Sequence, residues 1–156
     1  MAERYRVLVT GSRTWRDETA VREAIASVVA ARGPQHVTIV HGHCPTGADA
    51  MADRIAIAWG GGLIIERHAA DWDAPCVPAC RPGHRRTRSD GSTWCPAAGI
   101  YRDTAMTQTG IGEVLAFIDP CAKPRCRTSG PHGSHGASYT ADLAQRMGIP
   151  VRRWPR

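Results

Sequence analysis

HVTIVHGHCPTGADAMADRIAIAWGGG, residues 36–62, decides the fold. The short run Val37-Thr38-Ile39-Val40 is apolar and rich in β-branched residues, which predicts a buried strand. A glycine-bearing turn follows, from Gly42 to Gly47. Then Ala48, Met51, Ala52, Ile55, Ala56 and Trp59 recur at helical spacing, and Gly60-Gly61-Gly62 stops the helix. A strand that feeds a tight turn into a helix aims unpaired backbone N–H groups at one point, where anions such as phosphate bind. The turn carries no Lys followed by Ser or Thr, so it is not a P-loop. Its spacing is not G-x-G-x-x-G, so it is not the ordinary dinucleotide fingerprint. On this stretch alone, a turn that only joins strand to helix is the competing reading.

The same alternation extends on both sides. Tyr5 to Thr10 reads as a first strand, followed by the turn Gly11-Ser12-Arg13. Asp17 is an N-cap candidate for a helix to about Ala31, with Val21, Ala24, Ile25 and Val28 on one face. Leu63 to Glu66 is a third strand. Periodicity fails over residues 73–99, which are rich in Pro, Gly, Cys and Arg and read as an irregular insert. A helix over about Tyr101 to Thr109, a strand at Val114 to Ile118, and a second insert over residues 119–132 come next. A helix over about Ala137 to Met147 and a strand at Val151 to Trp154 close the chain. Strands alternating with helices predict an α/β fold: a Rossmann-like, mostly parallel sheet with helices on both faces, as one domain over residues 1–156. Ligands of such sheets sit beyond the carboxyl ends of the strands. Three glycine turns are expected there: Gly11-Ser12-Arg13, Gly42 to Gly47, and Gly133-Ser134-His135-Gly136.

Composition narrows the function classes. With 42% hydrophobic residues in 156, the chain can build a core. It shows no signal-peptide pattern and no apolar run long enough to span a bilayer, so the expectation is a cytoplasmic protein with no membrane partner. A net charge of +6 suits an anionic ligand or nucleic acid. A homo-oligomer is compatible with all of this. Six cysteines without a secretion signal point to metal or chemistry rather than disulfides.

Cys76, Cys80, His84 and Cys95 form C-x3-C-x3-H-x10-C. Thiolate and imidazole are the ligands tetrahedral Zn²⁺ takes, and a loop with no core of its own needs such a staple. The expectation is one structural zinc here, against free surface cysteines. Cys121, Cys126, His132 and His135 form a second site or lend two ligands to the first. Arg81, Arg85, Arg86 and Arg88 either hold nucleic-acid backbone or make a solvated loop. Trp72 and Trp94 flank them, to stack on a base or to be buried. Cys44 lies beside a helix N-terminus. That placement lowers a thiol pKa and makes a nucleophile if His41 or His43 turns toward it; otherwise Cys44 is an unreactive small residue. His41 and His43 should point to opposite sides of the strand end. Asp49 either binds ribose hydroxyls or complements the helix dipole.

Three motifs together, VLVTGSR at Val7 to Arg13, HGHCPTGADAMAD at His41 to Asp53 and GSHGASYTADLA at Gly133 to Ala144, resemble the SLOG superfamily. This Rossmann-like group includes DNA-processing protein A and the lonely-guy phosphoribohydrolases, and the nearest branch is that of the small YspA/YpsA-related proteins of bacteria and phages. The resemblance implies a nucleotide or nucleotide-derived ligand. Gly42, Gly47 and Asp49 match the glycine–glycine–aspartate turn of the DNA-processing proteins, and Gly11, Ser12 and Arg13 match the first loop. Arg102 and Met106 match an arginine–methionine pair of the phosphoribohydrolases, and Gly133 and Gly136 match their glycine-rich loop. Where those hydrolases continue with Thr and a catalytic Glu, this chain has Ala137 and Thr140, so the carboxylate of that chemistry is missing at its place.

The expected ligand site therefore comprises Gly11, Ser12, Arg13, Gly42, His43, Thr46, Gly47, Asp49, Arg102, Gly133, Ser134 and Gly136, with Arg13 and Arg102 supplying most of the charge. The reading is a nucleotide-binding module or sensor, leaning away from an enzyme. The alternatives are a nucleotide N-glycosidic hydrolase and a single-stranded DNA-binding protein.

Overall fold

The computed structural model describes residues 2–155. Its centre is a five-stranded parallel sheet of order β3-β2-β1-β6-β7, built from β1 (Tyr5–Gly11), β2 (Val37–His41), β3 (Ile64–Arg67), β6 (Glu113–Phe117) and β7 (Val151–Trp154). β1 is central. Val7 pairs with Ile39 on one side and with Glu113 on the other.

Side chains alternate between the two faces, as a period of two requires. Val7, Val9, Ile39, Leu115 and Phe117 join one core with residues of α1 (Glu18–Arg32) and α2 (Gly47–Trp59). Leu8, Val40, Val114 and Ala116 join the other with residues of α3 (Ala98–Thr107) and α4 (His135–Arg146). The chain steps outward from β1 to β3 with its helices on the first face. It then crosses back to β6 and β7 with its helices on the second. Right-handed crossovers force that change of face when the direction of travel reverses.

The local signals act as expected at α1, where the Asp17 carboxylate accepts from Ala20 N at 3.0 Å and Val21, Ala24, Ile25 and Val28 are buried. Residues 73–99 are more ordered than the sequence suggests. They contain an antiparallel hairpin, β4 (Arg86–Thr87) with β5 (Thr93–Trp94), and α3 begins inside them. Two-residue strands are too short to show a period. Among the described residues no helix is long and apolar enough to cross a membrane.

Candidate functional site

The sheet order reverses between β1 and β6, and open α/β sheets bind ligands in the crevice at that point. Ser12 sits there and ties three segments together. Its N–H donates to Phe117 O at 2.9 Å, its hydroxyl accepts from Asp119 N at 2.8 Å, and its Oγ meets Ser134 Oγ. Ser134 N in turn donates to Asp119 O at 2.9 Å. The first glycine turn and the start of α4 are thereby brought to one place.

The β2–α2 turn is held from both sides. Gly47 opens α2 with φ +74, and a Cβ on it would lie 2.2 Å from Ser12 O. Only glycine allows this approach of the two turns. Asp49 is buried in the first helical turn and accepts from Cys44 N at 3.3 Å. Burial raises its pKa against the opposing pull of that N–H. Cys44 does not become the activated thiolate that its place near a helix start suggested. Burial, then the Asp49 charge, push its pKa up. His41 is fully buried. His43 N donates to its Nδ1 at 3.0 Å, so the proton of the neutral ring is on Nε2, which donates to Asp53 Oδ1 at 2.8 Å. Burial lowers the His41 pKa, which keeps that ring neutral. His43 is exposed, and among the described residues neither histidine is hydrogen-bonded to the Cys44 thiol, which the sequence reading required for its activation.

A cleft of about 510 Å³ opens over these segments. Gly11, Ser12, Arg13, Gly42, Asp49, Arg102, Ser134 and Gly136 all line it. His43, Thr46, Gly47 and Gly133 are not among its lining residues; Thr46 is the exposed N-cap of α2, and Gly133 pairs with Pro120 in a short bridge. Arg102 is partly committed elsewhere. Its Nε donates to Asp103 Oδ1 at 2.7 Å and its Nη1 to the carbonyls of His68, at 2.9 Å, and Gly42. It clamps the β2–α2 turn as well as facing the cleft.

Among the further lining residues that the sequence reading of the site missed are Asp103, Lys123 and Pro120. Asp103 is buried and its pKa is raised, burial outweighing the neighbouring guanidinium. Its adjacency to Arg102 was the only signal available. Lys123 is the chain's one lysine and lies in the second insert, where no periodicity places a residue. Thr140, at the position of the related hydrolases' glutamate, is buried and donates to Gly136 O at 3.0 Å.

Two groups, one in the first insert and one spanning the second insert and the first residue of α4, could hold a metal ion. The ligand atoms of Cys76, Cys80, His84 and Cys95 lie within 4.8 Å of one another, as do those of Cys121, Cys126, His132 and His135. Each set is complete in itself, so the second does not serve to fill the first. In the first, Cys80 Sγ is 3.9 Å from Cys95 Sγ, far beyond a disulfide bond of about 2.05 Å. Cys95 Sγ is 3.5 Å from His84 Nε2, and Arg85 Nη1 approaches Cys76 Sγ at 3.7 Å.

Arg85 also donates to the carbonyls of Ala74 at 2.8 Å and Thr93 at 3.0 Å, and Arg88 pairs with Asp73 at 2.8 Å. The arginine cluster is thus divided, with two members holding the insert together and Arg81 and Arg86 exposed. Trp72 and Trp94 meet edge to face at 5.7 Å, and Trp72 reaches the cleft wall.

The family model of YspA, cpYpsA-related SLOG proteins matches residues 5–74, which run from β1 through the whole β2–α2–β3 unit. A "Gene 61 protein" of Mycobacterium phage D29 is 33% identical over 151 residues, covering 94% of this chain and 93% of the relative. The chain belongs to the YspA, cpYpsA-related SLOG family. Membership fits a Rossmann-like, nucleotide-related function. The family match ends at Ala74, so the metal-binding candidates, Arg102 and the α4 turn all lie outside it.

Proposed function

We propose that the chain binds a nucleotide or nucleotide-derived phosphate ligand in the crevice beyond β1 and β6, as a binding module or sensor. One observation carries this reading: Gly11, Gly42 and Gly136, from three separate turns, line one cleft at the point where the strand order reverses. Its volume of about 510 Å³ falls in the range of small-molecule sites, roughly 300–1,000 Å³. Arg13, Lys123 and the remaining Nη2 of Arg102 supply positive charge. Asp49 and Asp103 are buried acceptors for sugar hydroxyls. The first Cys/His group takes a structural zinc. Bonds of about 2.3 Å to sulfur and about 2.0–2.1 Å to nitrogen in a tetrahedron separate sulfurs by about 3.8 Å and sulfur from nitrogen by about 3.5 Å. The Cys80–Cys95 and Cys95–His84 distances of 3.9 and 3.5 Å suit that geometry, while Cys76 Sγ and His84 Nε2, at 2.8 Å, would move apart on taking the ion.

Calorimetry with a panel of nucleotides and ADP-ribose-like compounds tests the site. Arg13 is exposed, so Arg13→Ala should leave the melting temperature unchanged. It should weaken a phosphate-bearing ligand by about 1.5–3 kcal/mol, roughly tenfold to a hundredfold. Unchanged affinity for every ligand found would place the site elsewhere.

Asp103 favours a second reading, N-glycosidic hydrolysis. It is a buried carboxylate with a raised pKa in the cleft, able to take up the role that Thr140 cannot. Release of free base from nucleoside monophosphates, lost in Asp103→Asn with ligand binding retained, would establish it. No base released by the parent protein would leave the binding reading.

A further inference from the structure

The second Cys/His group takes three members from the loop between β6 and α4 and the fourth from the first residue of α4, at the edge of the proposed ligand cleft. Cys121, Cys126, His132 and His135 form C-x4-C-x5-H-x2-H. Cys126 Sγ lies 3.4 Å from His132 Nε2 and 3.1 Å from His135 Nε2, and the two Nε2 atoms are 3.2 Å apart. A tetrahedral ion with bonds of about 2.0–2.1 Å to nitrogen and about 2.3 Å to sulfur sets N···N at about 3.4 Å and S···N at about 3.5 Å.

The orientation of His132 is fixed from behind. Its Nδ1 lies 2.8 Å from Gly130 O. A carbonyl can only accept, so the ring proton is on Nδ1 and the bare Nε2 faces the cluster. Metal-bound histidines are commonly held this way. The loop has little else to order it. Between Cys121 and His132 it carries no apolar side chain larger than alanine or proline, and it includes Lys123, Arg125 and Arg127. Its base is closed by the Pro120–Gly133 bridge and by Cys121 N donating to His132 O at 2.8 Å. Like charges on a short loop without a core favour an open chain unless something draws the loop together.

The position of the loop gives the site a consequence. Cys121 and His135 are ligand candidates and cleft-lining residues at once, and Lys123 lies between the two cysteines on the same wall. We propose that Cys121, Cys126, His132 and His135 bind a second Zn²⁺, and that this ion fixes the loop holding Lys123 against the ligand cleft. The cleft's use for a phosphate ligand rests on the function proposed above; the metal site does not.

Elemental analysis of the intact protein, prepared without chelator, should find about two zinc ions per chain, and about one in Cys126→Ser or in Cys80→Ser. Cobalt substitution of the parent protein needs no variant and should show two tetrahedral d–d signatures, one with three thiolates and one with two. Trypsin reports on the loop without any ligand. Cleavage after Arg125 and Arg127 should be at least about tenfold faster in Cys126→Ser, while the circular dichroism of the sheet and helices is retained. AMP, the probe for the cleft, should bind about tenfold more weakly to that variant. One metal ion in the parent that Cys126→Ser keeps would overturn the site. Equal trypsin rates in parent and variant would overturn its role in fixing the loop. Failure of AMP to bind either protein falls on the nucleotide reading, and the metal count and cleavage rates still decide this one.

Discussion

Replacing Gly47 by alanine tests how the site is put together. The residue has φ +74, and its new Cβ would stand 2.2 Å from Ser12 O and 2.7 Å from Arg13 Cα. These are backbone atoms and cannot swing aside. The left-handed conformation costs an alanine about 1–2 kcal/mol, and forcing an extra carbon into a packed contact costs about 1–3 kcal/mol more. The sum is about 2–5 kcal/mol, or a fall in Tm of roughly 4–20 °C for a chain of this length. Gly148→Ala is the control, because Gly148 has φ +78 with nothing within 4 Å of the new Cβ. It should lose only the conformational part, about 2–8 °C. Both variants gain the same unfolded-state stiffening, so the difference isolates the contact between turns. Scanning calorimetry of the parent and both variants is the assay. Equal melting temperatures for Gly47→Ala and Gly148→Ala would refute the claim that Gly47 exists to let the two turns touch.

Acid should act through His41. Its folded pKa is below 6.5, so as pH falls the unfolded chain takes up the proton first. The stability it contributes is therefore present above about pH 6.5 and is lost below it, with a slope of at most about 1.4 kcal/mol per pH unit. His41→Gln keeps a donor for Asp53 but cannot titrate. In urea denaturation between about pH 7 and 5 the parent should lose stability faster than the variant, and parallel profiles would count against it. At the first metal group, Cys80→Ser should abolish binding of one zinc per chain and make the remaining thiols there reactive in the native protein. A zinc content equal to that of the parent would remove Cys80 from the ligand set.

The roles of the glycines separate local from tertiary information. The sequence marked Gly11, Gly42 and Gly47 as special, and all three belong to turns at the carboxyl edge of the sheet. It assigned them to the approach of a ligand. In the structure a Cβ on Gly11 would meet Ala48 Cβ at 2.4 Å, and one on Gly47 would meet Ser12. Both glycines serve the approach of chain to chain, and Gly11 still lines the cleft. The partner of a close contact lies far along the sequence, so no local pattern names it. Cys44 shows the same limit. Its position near a helix start is legible, but the burial and the buried Asp49 that raise its pKa are not.

What the sequence determined by itself is whatever repeats at short range. Alternating apolar runs and helical periods set nine of the main elements, the parallel sheet and the two cores, because burial of one face imposes a period of two or 3.6. Cysteine and histidine spacing named the members of the first Cys/His group. The tertiary structure alone decided the rest. It placed the strand reversal between β1 and β6 and turned Arg85 and Arg88 inward onto the insert. It also brought Asp103 and Lys123 to the cleft and gathered Cys121, Cys126, His132 and His135 into a group of their own. Hydrogen bonds and charge pairs of this kind join residues that are distant in sequence. Their energies depend on burial and distance, which exist only once the chain has folded.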